Sequence, residues 1–98
     1  MFVIIWAFTA RPGREPEFER MYAADGDWSR LFARSPDYHG SELLCHTAGG
    51  GYLTIDRWSS SAAFDAFRNR WQLEYEALDR FCEDITEREA LVGRFETP

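Results

Sequence analysis

The chain has 98 residues, 45% of them hydrophobic and 16% aromatic, which is enough apolar side chain for one folded core and excludes global disorder. Its net charge is -6, and all eleven basic residues are arginines. That balance argues against nucleic acid, whose binding rests on neutralising phosphates, and against docking on an anionic membrane.

The first predicted element is a strand over Phe2 to Thr9, and Phe2 to Phe8 contain no polar side chain. Alternation puts Phe2, Ile4, Trp6 and Phe8 on one side and Val3, Ile5 and Ala7 on the other, so both faces are apolar. The stretch has no basic leader and no small-residue cleavage site, and it falls short of the ~20 residues of a spanning helix. It reads as mature protein rather than signal peptide. Pro12 and Gly13 break the strand. A helix is predicted from about Glu15, with Pro16 in its first turn, Glu15, Glu17 and Glu19 at the positive end of its dipole, and Phe18, Met21 and Tyr22 on one face. Gly26 reads as its C-cap. Asp27 reads as the cap of a second, short helix that carries Trp28, Leu31 and Phe32 inward and is closed by Pro36.

A second strand is predicted over Gly40 to Thr47, then a glycine hairpin turn, then a third strand over Tyr52 to Trp58. Three serines follow and offer N-caps. Phe64, Phe67, Trp71, Tyr75, Leu78, Cys82 and Ile85 then recur at helical steps. At ~1.5 Å rise per residue one straight helix would outrun the strands it covers, so a bend is expected near Arg70 and Trp71. The last strand is predicted over Arg88 to Glu96. Cys45 and Cys82 form no motif and read as buried free thiols of a cytoplasmic protein.

The order β-α-β-β-α-β over residues 1–98 predicts a single ferredoxin-like α+β sandwich, a four-stranded antiparallel sheet with its helices on one face. The other face then stays bare, although Val3, Ile5 and Ala7 are apolar. A second copy packed sheet against sheet about a two-fold axis would cover it. RNA-recognition domains share this element order, but they need basic residues around an exposed sheet, which this chain lacks.

Three stretches carry a resemblance: "RPG" after the first strand, "RSPDYHGSELL" leading into the second, and "YLTIDRWSSSAAFDAFRNR". In these the chain resembles the antibiotic biosynthesis monooxygenase family of dimeric α+β barrel proteins. The resemblance implies a homodimer through the sheet, and cofactor-independent oxygenation of aromatic polyketides or quinols or, in some members, haem degradation. It also implies an Asn on the first strand at about Trp6 and a Trp at Phe67, with a later His in the haem degraders. None of these stands here: the only Asn is Asn69, and no His follows Phe67. Neither haem nor another cofactor is therefore expected.

His39 and His46 are the only imidazoles and are candidate general bases at a pocket mouth. Tyr75 is a third catalytic candidate, able to orient a phenolic hydroxyl. Trp6, Tyr22, Trp28, Phe67 and Trp71 point by period between sheet and helices, as the walls of an apolar pocket for a small aromatic ligand. Trp6 is expected there against Phe67 or Trp71, with Arg57 or Arg70 as polar handles. Adjacent strand residues point to opposite faces, so Cys45 and His46 do not share a metal, and no metal site is expected. The "AGGG" turn joins two strands and opens no helix, so it is not a phosphate loop. These features predict a cofactor-independent monooxygenase or oxidoreductase acting on a small aromatic or quinol-type compound. The alternative is a non-catalytic dimeric protein that binds a hydrophobic small molecule.

Overall fold

The computed structural model describes all 98 residues. They form β1 (Phe2–Ala10), α1 (Glu15–Tyr22), α2 (Asp27–Phe32), β2 (Tyr38–Cys45), β3 (Tyr52–Trp58), α3 (Ser61–Arg70), α4 (Gln72–Glu83) and β4 (Thr86–Glu96). The strands make one antiparallel sheet in the order β2-β3-β1-β4, the ferredoxin-like arrangement. β1 therefore lies inside the sheet, with Ile5 opposite Ile55 on one side and Gly93 on the other. No helix is long and apolar enough to cross a membrane.

Local chemistry sets the helix ends. Pro16 occupies the first turn of α1, and the Gly13 N–H donates to the Glu15 carboxylate at 2.7 Å. Gly26, not Asp27, is the N-cap of α2, and Gly26 is not the C-cap of α1, which is Ala23. The reason is close approach: a Cβ on Gly26 would lie 2.5 Å from the Arg20 carbonyl oxygen and 2.6 Å from that of Met21. Only a residue without a side chain lets α2 start against the last turn of α1. Asp27 instead opens the helix and pairs with Arg30. Ser60 caps α3, its Oγ accepting from the Ala63 N–H at 3.0 Å. The expected bend falls at Trp71, whose φ of -111° and ψ of 30° separate α3 from α4. Ile85, expected as the last apolar position of the long helix, lies past the end of α4, fully buried, and β4 begins at once at Thr86.

The core lies between the sheet and the helices. Phe2, Ile4 and Phe8 of β1 meet Phe18, Met21, Leu31, Phe32, Phe64 and Phe67 there. Trp58, with no exposed surface, is its centre, within 5.5 Å of the rings of Phe32, Tyr38, Phe64 and Phe67. On the opposite face, Val3, Ile5 and Ala7 align across the strands with Leu53, Leu44 and Phe95, and no helix covers them. Leu44 is 44% exposed and Phe95 47%. Cys82 is buried as expected. Cys45 is exposed, because it ends an edge strand beside the hairpin.

Candidate functional site

The helix side of the sheet is not filled to its end. A cavity of about 240 Å³ remains, walled by Trp6 and Phe8 of β1, Tyr22 of α1, Trp28 and Phe32 of α2, and Tyr75 of α4. These rings meet at angles. Trp28 stands edge-on to Tyr75 at 5.0 Å, and Tyr22 lies tilted to Trp28 at 6.1 Å. Large planar groups meeting this way leave space that no smaller side chain of the chain fills.

Asp56 faces this cavity. Alternation along β3 sets it on the same face as Tyr52, Thr54 and Trp58, opposite Ile4 on β1 and Ser41 on β2. Ser41 Oγ donates to Asp56 Oδ1 at 2.5 Å, and the Tyr38 hydroxyl lies 2.6 Å from Ser41 Oγ. No arginine pairs with Asp56. Burial raises its carboxyl from an ordinary 3.8 to about 6, against the opposing pull of the Ser41 hydrogen bond. A carboxylate so tuned is mostly ionised at neutral pH and more basic than an exposed one, as proton abstraction requires.

Two phenols complete the lining. Burial pushes the Tyr22 and Tyr75 hydroxyls above their ordinary values, so both stay protonated donors at neutral pH. The Arg68 guanidinium lies over the Tyr75 ring at 4.1 Å. Asp79 and Glu89 also line the cavity and continue into a neighbouring acidic groove with Glu83 and Glu87. Burial raises the Glu89 carboxyl, and the negative charges of Asp79 and Glu83 raise it further.

Of the residues singled out from sequence, Trp6, Tyr22, Trp28 and Tyr75 come together in this cavity. Phe67 does not line it. It is 3% exposed and packed in the core against Phe32 and Trp58. Trp71 also lies outside, at the α3–α4 junction, flanked by the guanidiniums of Arg34 and Arg70 at 4.7 and 5.0 Å. Trp6 is on the helix side, but its ring neighbour is Phe8 rather than Phe67 or Trp71. The two histidines are elsewhere. His39 Nε2 is 2.9 Å from Ser59 Oγ in an exposed position, and His46 Nδ1 accepts the Ala48 N–H at 3.0 Å in the hairpin turn. Arg57 pairs with Glu42 at 2.7 Å away from the cavity, and Arg70 sits on Trp71, so the arginine at the cavity is Arg68. No three His, Cys, Asp or Glu side chains converge as metal ligands. Asp56, Arg68, Asp79 and Glu89 escaped the sequence reading. For Asp56 the signal was there: "YLTIDRW" alternates Tyr52, Thr54, Asp56 and Trp58 on the inward face, where a carboxylate is costly to bury without a partner.

The chain is thus an antiparallel α+β sandwich with an aromatic, carboxylate-bearing cavity between sheet and helices. The model of the antibiotic biosynthesis monooxygenase family matches residues 1–74, and the chain belongs to that family. Solved structures agree in fold. SnoaB, a cofactor-independent oxygenase from Streptomyces nogalater, superposes with a TM-score of 0.80 at 20% identity, over 99% of this chain and 92% of that one. Rv0793 from Mycobacterium tuberculosis gives 0.75 at 17% identity, over 99% and 94%. A MhuD variant with two manganese protoporphyrin IX molecules bound per active site gives 0.73 at 26% identity, over 99% and 94%. No protein of curated function matches the chain in sequence.

Proposed function

We propose that the protein is a cofactor-independent oxidoreductase that oxidises a small phenolic or quinol-type ring in the aromatic cavity, with Asp56 as the general base. The observation that carries this is Asp56 itself, an unpaired carboxylate raised to about 6 and facing a cavity walled by aromatic rings. Family membership and the likeness to an oxygenase that needs no cofactor support the reaction type.

A bound ring gains ~0.5–1.5 kcal/mol from each stacked or edge-to-face contact with Trp6, Trp28 or Tyr75. At about 240 Å³ the cavity lies just below the ~300–1,000 Å³ of pockets for drug-sized ligands, which suits one or two fused rings. Asp56 takes the ring hydroxyl proton and leaves a phenolate, which is far more easily oxidised than the phenol. Arg68 supplies positive charge to that phenolate, and the Tyr75 hydroxyl donates to it. Molecular oxygen is the oxidant. A quinol gives up two protons and two electrons and leaves as the quinone, with oxygen reduced to hydrogen peroxide. A phenol with a free para carbon loses the hydrogen there and takes up one oxygen atom, leaving as the quinone while the second oxygen atom departs as water.

We also infer that two copies pack through the bare sheet face, since Val3, Ile5, Leu44, Leu53 and Phe95 form an apolar surface that one chain leaves open. The free thiols of Cys45 and Cys82 suit a reducing cytoplasm.

Oxygen uptake with a panel of small phenols and quinols tests the reading. Asp56→Asn should lower turnover by ~10²–10⁴, the range of general-base contributions, and Tyr75→Phe should lower it less. The second reading, a binding protein without catalysis, is favoured by the residues at the two positions where the family's oxygenases carry Asn and Trp, which here are Trp6 and Phe67. Tight ring binding with no uptake in the wild type would establish that reading instead.

A further inference from the structure

We infer that the cavity selects aromatic compounds that carry an ammonium group and disfavours carboxylated ones. This names the ligand class for the site proposed above, and it rests on that cavity being the binding site. Three carboxylates line it, those of Asp56, Asp79 and Glu89, against one guanidinium, that of Arg68. None of the four belongs to an ion pair, so their charges act on whatever enters. The walls include the rings of Trp6, Tyr22, Trp28 and Tyr75, and aromatic rings attract cations over their faces. Arg68 already seats a cation on one of them, Tyr75, at 4.1 Å.

The carboxylates sit at two levels. Asp56 lies opposite Ile4 of β1 and Glu89 opposite Phe8. Those positions are four residues apart, ~13 Å along a strand at ~3.3 Å per residue. Asp79 and Glu89 also line the adjoining groove, where Glu83 and Glu87 outnumber no basic pair but match Arg11 and Arg88. A para-substituted phenol therefore meets Asp56 with its hydroxyl at one end and Asp79 and Glu89 with its substituent at the other. An ammonium there is attracted, and a carboxylate is repelled. The same charge assists the chemistry. Transfer of the phenolic proton to Asp56 moves the negative charge onto the ring, and an ammonium on the same molecule stabilises the phenolate beside the remaining carboxylates of Asp79 and Glu89.

Three compounds built on the same 4-ethylphenol frame test this: tyramine, 4-ethylphenol and 3-(4-hydroxyphenyl)propanoate, whose arms end in an ammonium, a hydrogen and a carboxylate. Isothermal calorimetry at neutral pH, low salt and without oxygen should rank tyramine tightest, by at least about 10-fold over the propanoate, with the gap narrowing as salt is added. The double variant Asp79→Asn with Glu89→Gln should remove most of the gap while 4-ethylphenol still binds. A propanoate that binds as well as tyramine, a ranking unchanged in the double variant, or no binding by any of the three would overturn the inference. Binding is read without oxygen, so the two readings fail separately. Selective tyramine binding with no oxygen uptake on any quinol or para-unsubstituted phenol would sink the oxidoreductase and leave the selectivity standing.

Discussion

Replacing Asp56 with Asn should make the protein more stable and less active at once. The carboxyl rises from 3.8 to about 6 in the folded protein because burial disfavours its charge. Between those values the folded state holds a proton that the unfolded chain has released, so stability falls as pH rises through that window. Above about pH 6 the penalty is complete. Two pKa units at ~1.36 kcal/mol each amount to ~3 kcal/mol, and access to solvent through the cavity reduces this to ~1–3 kcal/mol. Asn carries no charge, and its carbonyl oxygen still accepts the bond from Ser41. Denaturant unfolding of wild type and variant should therefore show Asp56→Asn more stable by ~1–3 kcal/mol at pH 8, with the difference shrinking toward zero near pH 4. In thermal scans of a domain this size each kcal/mol is worth ~4–8 °C. A variant less stable than wild type at pH 8, or a difference independent of pH, would refute the claim that Asp56 is held charged against its environment.

Other perturbations separate core, cavity and interface. Trp58→Ala should cost ~3–5 kcal/mol in denaturant unfolding, because Trp58 is fully buried among four rings, whereas Trp6→Ala should cost clearly less, since half-buried Trp6 borders open space. Ile5→Glu puts an unpaired charge into the inferred sheet-to-sheet interface, and sedimentation should show the wild-type dimer replaced by monomer, at a cost of several kcal/mol. His39→Ala and His46→Ala should each leave oxygen uptake within about two-fold of wild type, since both imidazoles bond to groups outside the cavity; a loss near that of Asp56→Asn would return the base to a histidine.

The elements themselves were legible because period and turn chemistry agree. Strict alternation set the faces of β1, and the glycine run set the hairpin between β2 and β3. Helix length against strand length placed the bend at Trp71. Legibility ended where depth or close approach decides. The helical period put Phe67 and Tyr75 on the same inward face, but it does not report that Phe67 is sealed between Phe32 and Trp58 while Tyr75 borders a void. Gly26 looked like the end of one helix because nothing local reveals how near the carbonyls of Arg20 and Met21 lie. The histidines drew attention through their ordinary titration range. Asp56 acquires its basicity only from burial, which brings strands and helices distant in sequence around it.

The central claim is that Asp56 is the base of this cavity. The pH dependence of kcat/KM for oxygen uptake with a neutral phenol, compared between wild type and Asp56→Asn, tests it most directly. The wild-type profile should rise to a plateau through about pH 6, where Asp56 loses its proton, and the residual activity of the variant should lack that limb. A rising limb near pH 6 that survives unchanged in Asp56→Asn would contradict it.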